Sequence, residues 1–108
     1  MSAATRYADM FAALGNEQRL EIVRQLLAAH PDGVVVGEIQ QQLGMAASTL
    51  SHHLDRLKSE GLAESTREGV YLRYRVKTDA LRELLGFLYA ECCTRNKAVR
   101  PEDVVACC

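Results

Sequence analysis

At Gly61 the spacing of apolar residues changes from every third or fourth position to every second, so a helix must run almost directly into paired strands. Before the switch, Leu50, Leu54 and Leu57 form one narrow stripe, which predicts a helix from Ala47 to Glu60 stopped by Gly61. After it, Leu62, Glu64 and Thr66, and then Tyr71 to Val76, alternate as two strands do, with Arg67-Glu68-Gly69-Val70 as the turn. Arg67 falls at the hairpin tip, and Arg73 and Arg75 share the face opposite Leu72, Tyr74 and Val76.

The segments upstream read as further helices. Tyr7, Met10, Phe11 and Leu14 lie on one helical face that Gly15 ends, and Asn16 is suited to cap the next helix. That second helix carries Leu20, Val23 and Leu27 with Ile22 and Leu26, a stripe wide enough for a central buried element. His30-Pro31-Asp32-Gly33 is a turn by composition, and Val34-Val35-Val36 leads into a short helix from Gly37 to Leu43 closed by Gly44. Met45-Ala46 leaves only a tight connection to the helix that follows, the spacing of a helix-turn-helix. A last helix starts near Thr78, with Leu81, Leu84, Leu85, Leu88 and Tyr89 as its stripe. The expected fold is mostly α with a β-hairpin wing, a winged helix-turn-helix, in a domain over 1–94 followed by a cysteine-bearing tail over 95–108.

With 108 residues, of which 48% are apolar, one compact core is affordable but small, and two copies sharing an apolar surface would relieve its marginal stability. No apolar run reaches the roughly 20 residues of a membrane span. The opening Met-Ser-Ala-Ala-Thr-Arg lacks the basic-then-apolar pattern of a signal peptide, so a cytoplasmic, reducing location is expected. The net charge of −1 argues against nucleic acid only until its distribution is considered. Residues 48–77 carry 6 basic and 4 acidic side chains, whereas the flanking segments are both acidic on balance.

The basic middle segment coincides with the polar face of the fourth helix. Ser48, Thr49, Ser51, His52, His53 and Arg56 offer donors to phosphates and base edges, and a helix fits the major groove, which is roughly 12 Å wide. His53 leans toward the leucine stripe, so His52 is the stronger member of the pair. Arg67 and Arg73 or Arg75 of the hairpin would lie along the flanking backbone or minor groove. Adjacent histidines point about 100° apart on a helix, which disfavours a shared metal. No Ser-His-Asp order, phosphate loop or base near a cysteine suggests catalysis, and the chain is read as a non-enzyme.

All four cysteines lie within the last 17 residues, as the pairs Cys92-Cys93 and Cys107-Cys108. They lack the spacing of a structural zinc site, and cytosolic disulfides are rare. Thiolates select soft ions. As(III) or Sb(III) takes three thiolates in a trigonal pyramid, which a vicinal pair and one remote thiol can supply if residues 94–106 fold back. The same thiols suit Cd or Pb, or oxidation as a redox or sulfide sensor. A protein-interaction or metal-carrier module without operator binding is the remaining alternative.

Over nearly its whole length the chain resembles the ArsR/SmtB family of bacterial metal-responsive repressors. The likeness runs through Phe11-Ala-Ala-Leu-Gly-Asn-Glu-Gln-Arg-Leu-Glu-Ile-Val, Val36-Gly37-Glu38-Ile39, Ser48-Thr-Leu-Ser-His-His-Leu-Asp-Arg-Leu, and Gly61-Leu with Arg67-Glu-Gly-Val-Tyr-Leu-Arg-Tyr-Arg-Val. It implies a homodimer joined by first and last helices, bound to an inverted-repeat operator in double-stranded DNA and released by inducer. Many arsenic sensors of the family carry a Leu-Cys-Val-Gly-Asp-Leu box; here Val35 stands where its cysteine would be. Its zinc sensors use Asp and His ligands on the last helix; here only Asp79 corresponds, and 78–108 contains no histidine. The cysteine tail is thus the ligand site that the resemblance leaves, a placement some arsenite-responsive members also use.

Overall fold

The computed structural model describes residues 2–95, with side chains as far as Ala90. Five helices and three strands follow in the order α1 (Ala3–Leu14), α2 (Glu17–Ala28), β1 (Val34–Val35), α3 (Val36–Leu43), α4 (Ala47–Ser59), β2 (Ala63–Glu68), β3 (Tyr71–Val76) and α5 (Thr78–Arg95). The helix starts have local causes. Ser2 Oγ accepts from the Thr5 amide at 3.2 Å, and Asn16 Oδ1 accepts from the Arg19 amide at 3.0 Å, each satisfying a donor that the first turn leaves open.

The leucine stripe that predicted α4 is its inward face: Leu50, Leu54 and Leu57 are all buried, together with Ile22 and Leu26 of α2. Burying each of these side chains stabilises by roughly 1.5–3 kcal/mol, which is why α4 sits in a defined rotation on the body. Gly44 makes the tight turn that separates α3 from α4.

The hairpin differs from expectation at its turn. Arg67 and Glu68 belong to β2, paired with Leu72 and Tyr71, so only Gly69 and Val70 form the loop. Gly69 has φ 63° and no other residue of the turn is positive, the pattern of a type II′ hairpin turn. A second difference is β1. Val34 and Val35 pair antiparallel with Tyr74 and Arg73, giving a three-stranded sheet ordered β1-β3-β2 instead of an isolated wing.

Helix α2 is less enclosed than its sequence suggests. α2 packs against β3, α1, α4 and α3 with Ile22, Val23 and Leu26 buried, but Leu20 and Leu27 are 45% and 43% exposed. The last helix is anchored along one edge. Ala80 and Leu84 are buried, Tyr7 and Phe87 bring their rings to 4.6 Å, and Arg6 lies 3.9 Å from Glu83. Its remaining apolar face is open, with Leu85 and Leu88 half or more exposed. Among the described residues no helix is long and apolar enough to cross a membrane.

Candidate nucleic-acid interface

The rotation that buries the three leucines of α4 turns Ser48, Thr49, Ser51, His52, Asp55, Arg56 and Ser59 outward, and all seven are exposed. The N-cap position is Ala46, which supplies no side-chain acceptor. The first-turn amides of α4 are therefore not capped by a side chain, and they carry the positive end of the helix dipole. Arg56 and Lys58 stand in the last turn. Lys58 Nζ donates to Ser65 Oγ at 3.0 Å and ties α4 to β2. The Arg56 guanidinium makes no hydrogen bond or ion pair among the described residues.

One residue read as a candidate DNA contact belongs elsewhere. His53 is buried, 7% exposed, on the inner side of α4. Its Nδ1 lies 3.1 Å from Arg19 Nη1 and its Nε2 2.8 Å from Gln18 Oε1. A guanidinium only donates, so Nδ1 accepts from Arg19 and the ring proton sits on Nε2, donating to Gln18. Burial first, then the Arg19 charge and then His52 hold its pKa below the ordinary 6.5. His53 is a helix anchor and is withdrawn as a DNA contact. Its neighbour His52 remains at the surface, as the angular step between adjacent helical residues requires.

The wing is charged in a way its sequence conceals. Glu68 Oε1 and Oε2 accept from Arg73 Nε at 3.0 and 3.1 Å, and Arg75 Nη2 lies 3.8 Å from Glu68. Arg73 Nη1 also donates to the Gly33 carbonyl at 3.3 Å, and Arg75 Nη1 donates to Thr66 Oγ1 at 2.9 Å. Arg73 thus braces the sheet, half-buried, where the sequence reading had it reaching outward. Arg67 is the exposed cation of the hairpin, and its guanidinium has no such partner among the described residues. The apolar tip beside it, Val70 and Tyr71, is 87% and 62% exposed, a surface the alternation alone does not reveal. Between wing and helix, burial and then Asp55 push the Tyr74 phenol above its ordinary 10, against a hydrogen bond with Ser65.

The proposed thiol ligands fall at the margin. The backbone of Cys92 and Cys93 is in the last turn of α5 while their side chains lie outside the described residues, as do Cys107 and Cys108 entirely. Among the described residues no group of three or more His, Cys, Asp or Glu side chains is placed to hold a metal.

The arrangement of an outward polar helix behind a tight turn, with a hairpin beside it, matches known proteins. A family model described as a helix-turn-helix domain covers residues 14–66, from the end of α1 into β2. The chain is 30% identical to the HTH-type transcriptional regulator YgaV of Escherichia coli, over 81% of this chain and 86% of that protein. A solution structure from Mycobacterium bovis, the homodimeric winged helix-turn-helix domain Mb0332, described as a possible ArsR-family transcriptional regulator, is 34% identical with a TM-score of 0.65 and covers 82% of each chain. The chain belongs to the ArsR/SmtB family. It is a DNA-binding transcriptional regulator with the winged helix-turn-helix fold. Among this regulator's relatives is the cadmium resistance transcriptional regulatory protein CadC of Listeria innocua, 33% identical over 72% of this chain and 64% of CadC.

Proposed function

We propose that this regulator is a homodimeric repressor of a metal(loid)-resistance operon, released from an inverted-repeat operator when As(III) or Sb(III) binds its C-terminal thiolates. The observation that carries the reading is the double role of α5. The helix whose last turn holds Cys92-Cys93 also bears the exposed Leu85 and Leu88, an apolar face suited to a second copy. A ligand drawn to that end sits next to the surface that sets how far apart the two α4 helices stand. The homodimeric relative supports the dimer, and the relative named for cadmium resistance supports a soft ion as signal.

In this account Ser48, Thr49, Ser51, His52 and Arg56 enter the major groove, with the side-chain-uncapped amides of α4 directed at a phosphate. Arg67 lies on the backbone alongside. Cys92 and Cys93 bind the metalloid and Cys107 or Cys108 completes the pyramid, because soft thiolates outcompete oxygen donors for it. The metalloid acts by binding the DNA-incompetent state more tightly, since a ligand with equal affinity for both states shifts nothing.

Fluorescence polarisation with the duplex upstream of its own gene, titrated in turn with arsenite, antimonite, cadmium, zinc and peroxide, tests this. Arsenite and antimonite are expected to release the DNA at concentrations where zinc and metal-free peroxide do not. Release by peroxide alone would make the thiols a redox sensor, and retention of DNA in every arm would remove the thiol trigger.

A further inference from the structure

His53 joins three helices through one proton arrangement. Its Nε2–H reaches Gln18 at 2.8 Å, its Nδ1 takes a hydrogen bond from Arg19 at 3.1 Å, and Arg19 Nε donates in turn to the Ala13 carbonyl at 2.6 Å. The relay therefore runs from α4 to the first turn of α2 and on to the last turn of α1. It is anchored one residue from His52 on the outward face, with the two rings 6.4 Å apart. Leu50, Leu54 and Leu57 fix how deeply α4 sits, but apolar contacts are non-directional. Directional hydrogen bonds to a buried ring sharpen the rotation that the leucines select and fix the slide of α4 along the body.

We infer that His53 is a positioning residue for DNA binding, and that the joint it makes with Arg19 and Gln18 exists only for the neutral imidazole, so that operator affinity falls on mild acidification. The inference rests on the DNA-binding reading of α4. A second proton has to go on Nδ1. There it removes the acceptor for Arg19 and sets an N–H and a positive charge against a guanidinium, so the hydrogen bond is replaced by repulsion. Among the described residues, the charged and titratable groups bearing on the ring are Arg19 from α2 and His52 from α4 itself; α1 contributes the Ala13 carbonyl that holds Arg19 in place. Burial and these charges already favour the neutral ring. The folded value lies below 6.5 while the released ring titrates near it, so the joint is fully present above that pH and is lost as pH falls through the lower folded value.

The test compares the parent chain with His53→Asn, whose Oδ1 keeps an acceptor for Arg19 but does not titrate, and with His53→Ala, which keeps none. Operator affinity is measured by polarisation with the upstream duplex from about pH 7.5 to about pH 5.5, the range of histidine titration, with circular dichroism on the same samples. His52 and His30 are common to all three proteins, so differences between their profiles report position 53. The parent is expected to lose about tenfold in affinity relative to His53→Asn across this range, with its helical signal unchanged. At the upper pH, His53→Asn is expected to bind nearly as the parent does and His53→Ala more weakly. Superimposable profiles for the parent and His53→Asn overturn the inference, as does a loss of binding that merely follows loss of helix. A parent chain that fails to bind the duplex even at the upper pH overturns the DNA-binding reading itself.

Discussion

With Cys92 and Cys93 both changed to serine, the protein is expected to bind its upstream duplex as tightly as the parent chain and to keep hold of it when arsenite is added. Serine oxygen is a hard, neutral donor that does not compete for a thiophilic ion, so the substitution removes the ligand set at little cost in volume. If arsenite weakens the parent's affinity hundredfold, the coupling lost is about 2.7 kcal/mol, well within what metalloid–thiolate bonding supplies. Cys107→Ser alone is expected to be milder, because Cys108 remains as third ligand beside an intact vicinal pair. The measurement is operator release by polarisation at matched arsenite. A double variant that still let go of its DNA would move the signal away from the end of α5.

Gly33→Ala is expected to produce the largest loss of stability. Gly33 has φ 81°, and an added Cβ would stand 2.3 Å from the Tyr74 carbonyl oxygen and 2.7 Å from Arg75 Cγ. The backbone conformation alone costs an L-residue roughly 1–2 kcal/mol. Forcing a methyl into the close approach adds about 1–3 kcal/mol, since β3 must move away or β1 must detach from it. A total near 3 kcal/mol or more is a large share of the stability of a domain this size, about 5–15 kcal/mol. It also disturbs the Gly33 carbonyl that receives Arg73 Nη1. Urea denaturation followed by circular dichroism checks it. A midpoint equal to the parent's would mean that the β1–β3 pairing contributes little.

These variants probe features that differ in how plainly the sequence announces them. The core of α4 and the two hairpin strands were legible because their patterns are strict. Leu50, Leu54 and Leu57 repeat at helical spacing, and Tyr71 to Val76 alternate. Strand β1 was not, because two valines before a helix look the same whether or not they pair with Tyr74 and Arg73. Leu20 and Leu27 were expected inside, since a wide apolar stripe does not say which of its edges the neighbouring helices reach.

For the interface, the outward row from Ser48 to Arg56 could be read from the leucine stripe alone, apart from one member. His52 and His53 are identical side chains in adjacent positions. The leucine stripe already turns His53 inward, but its partners Arg19 and Gln18 lie 34 and 35 residues earlier, and no local pattern carries that information. The engagement of Arg73 was hidden for a similar reason, as Glu68 reaches it across the hairpin. The adjacent Cys92-Cys93 pair was conspicuous from its rarity, which is a statement about chemistry and not about geometry.

The account depends above all on the outward face of α4 being the surface that reads DNA. The most direct test is an Arg56→Ala, His52→Ala double variant, both exposed positions with no part in the core. Its affinity for the upstream duplex and for an unrelated duplex is measured at one salt concentration, beside its thermal unfolding curve. The account predicts an unfolding midpoint like the parent's, and affinity for the upstream duplex reduced toward that for unrelated DNA. A folded variant that still prefers the upstream duplex as strongly as the parent does would contradict it.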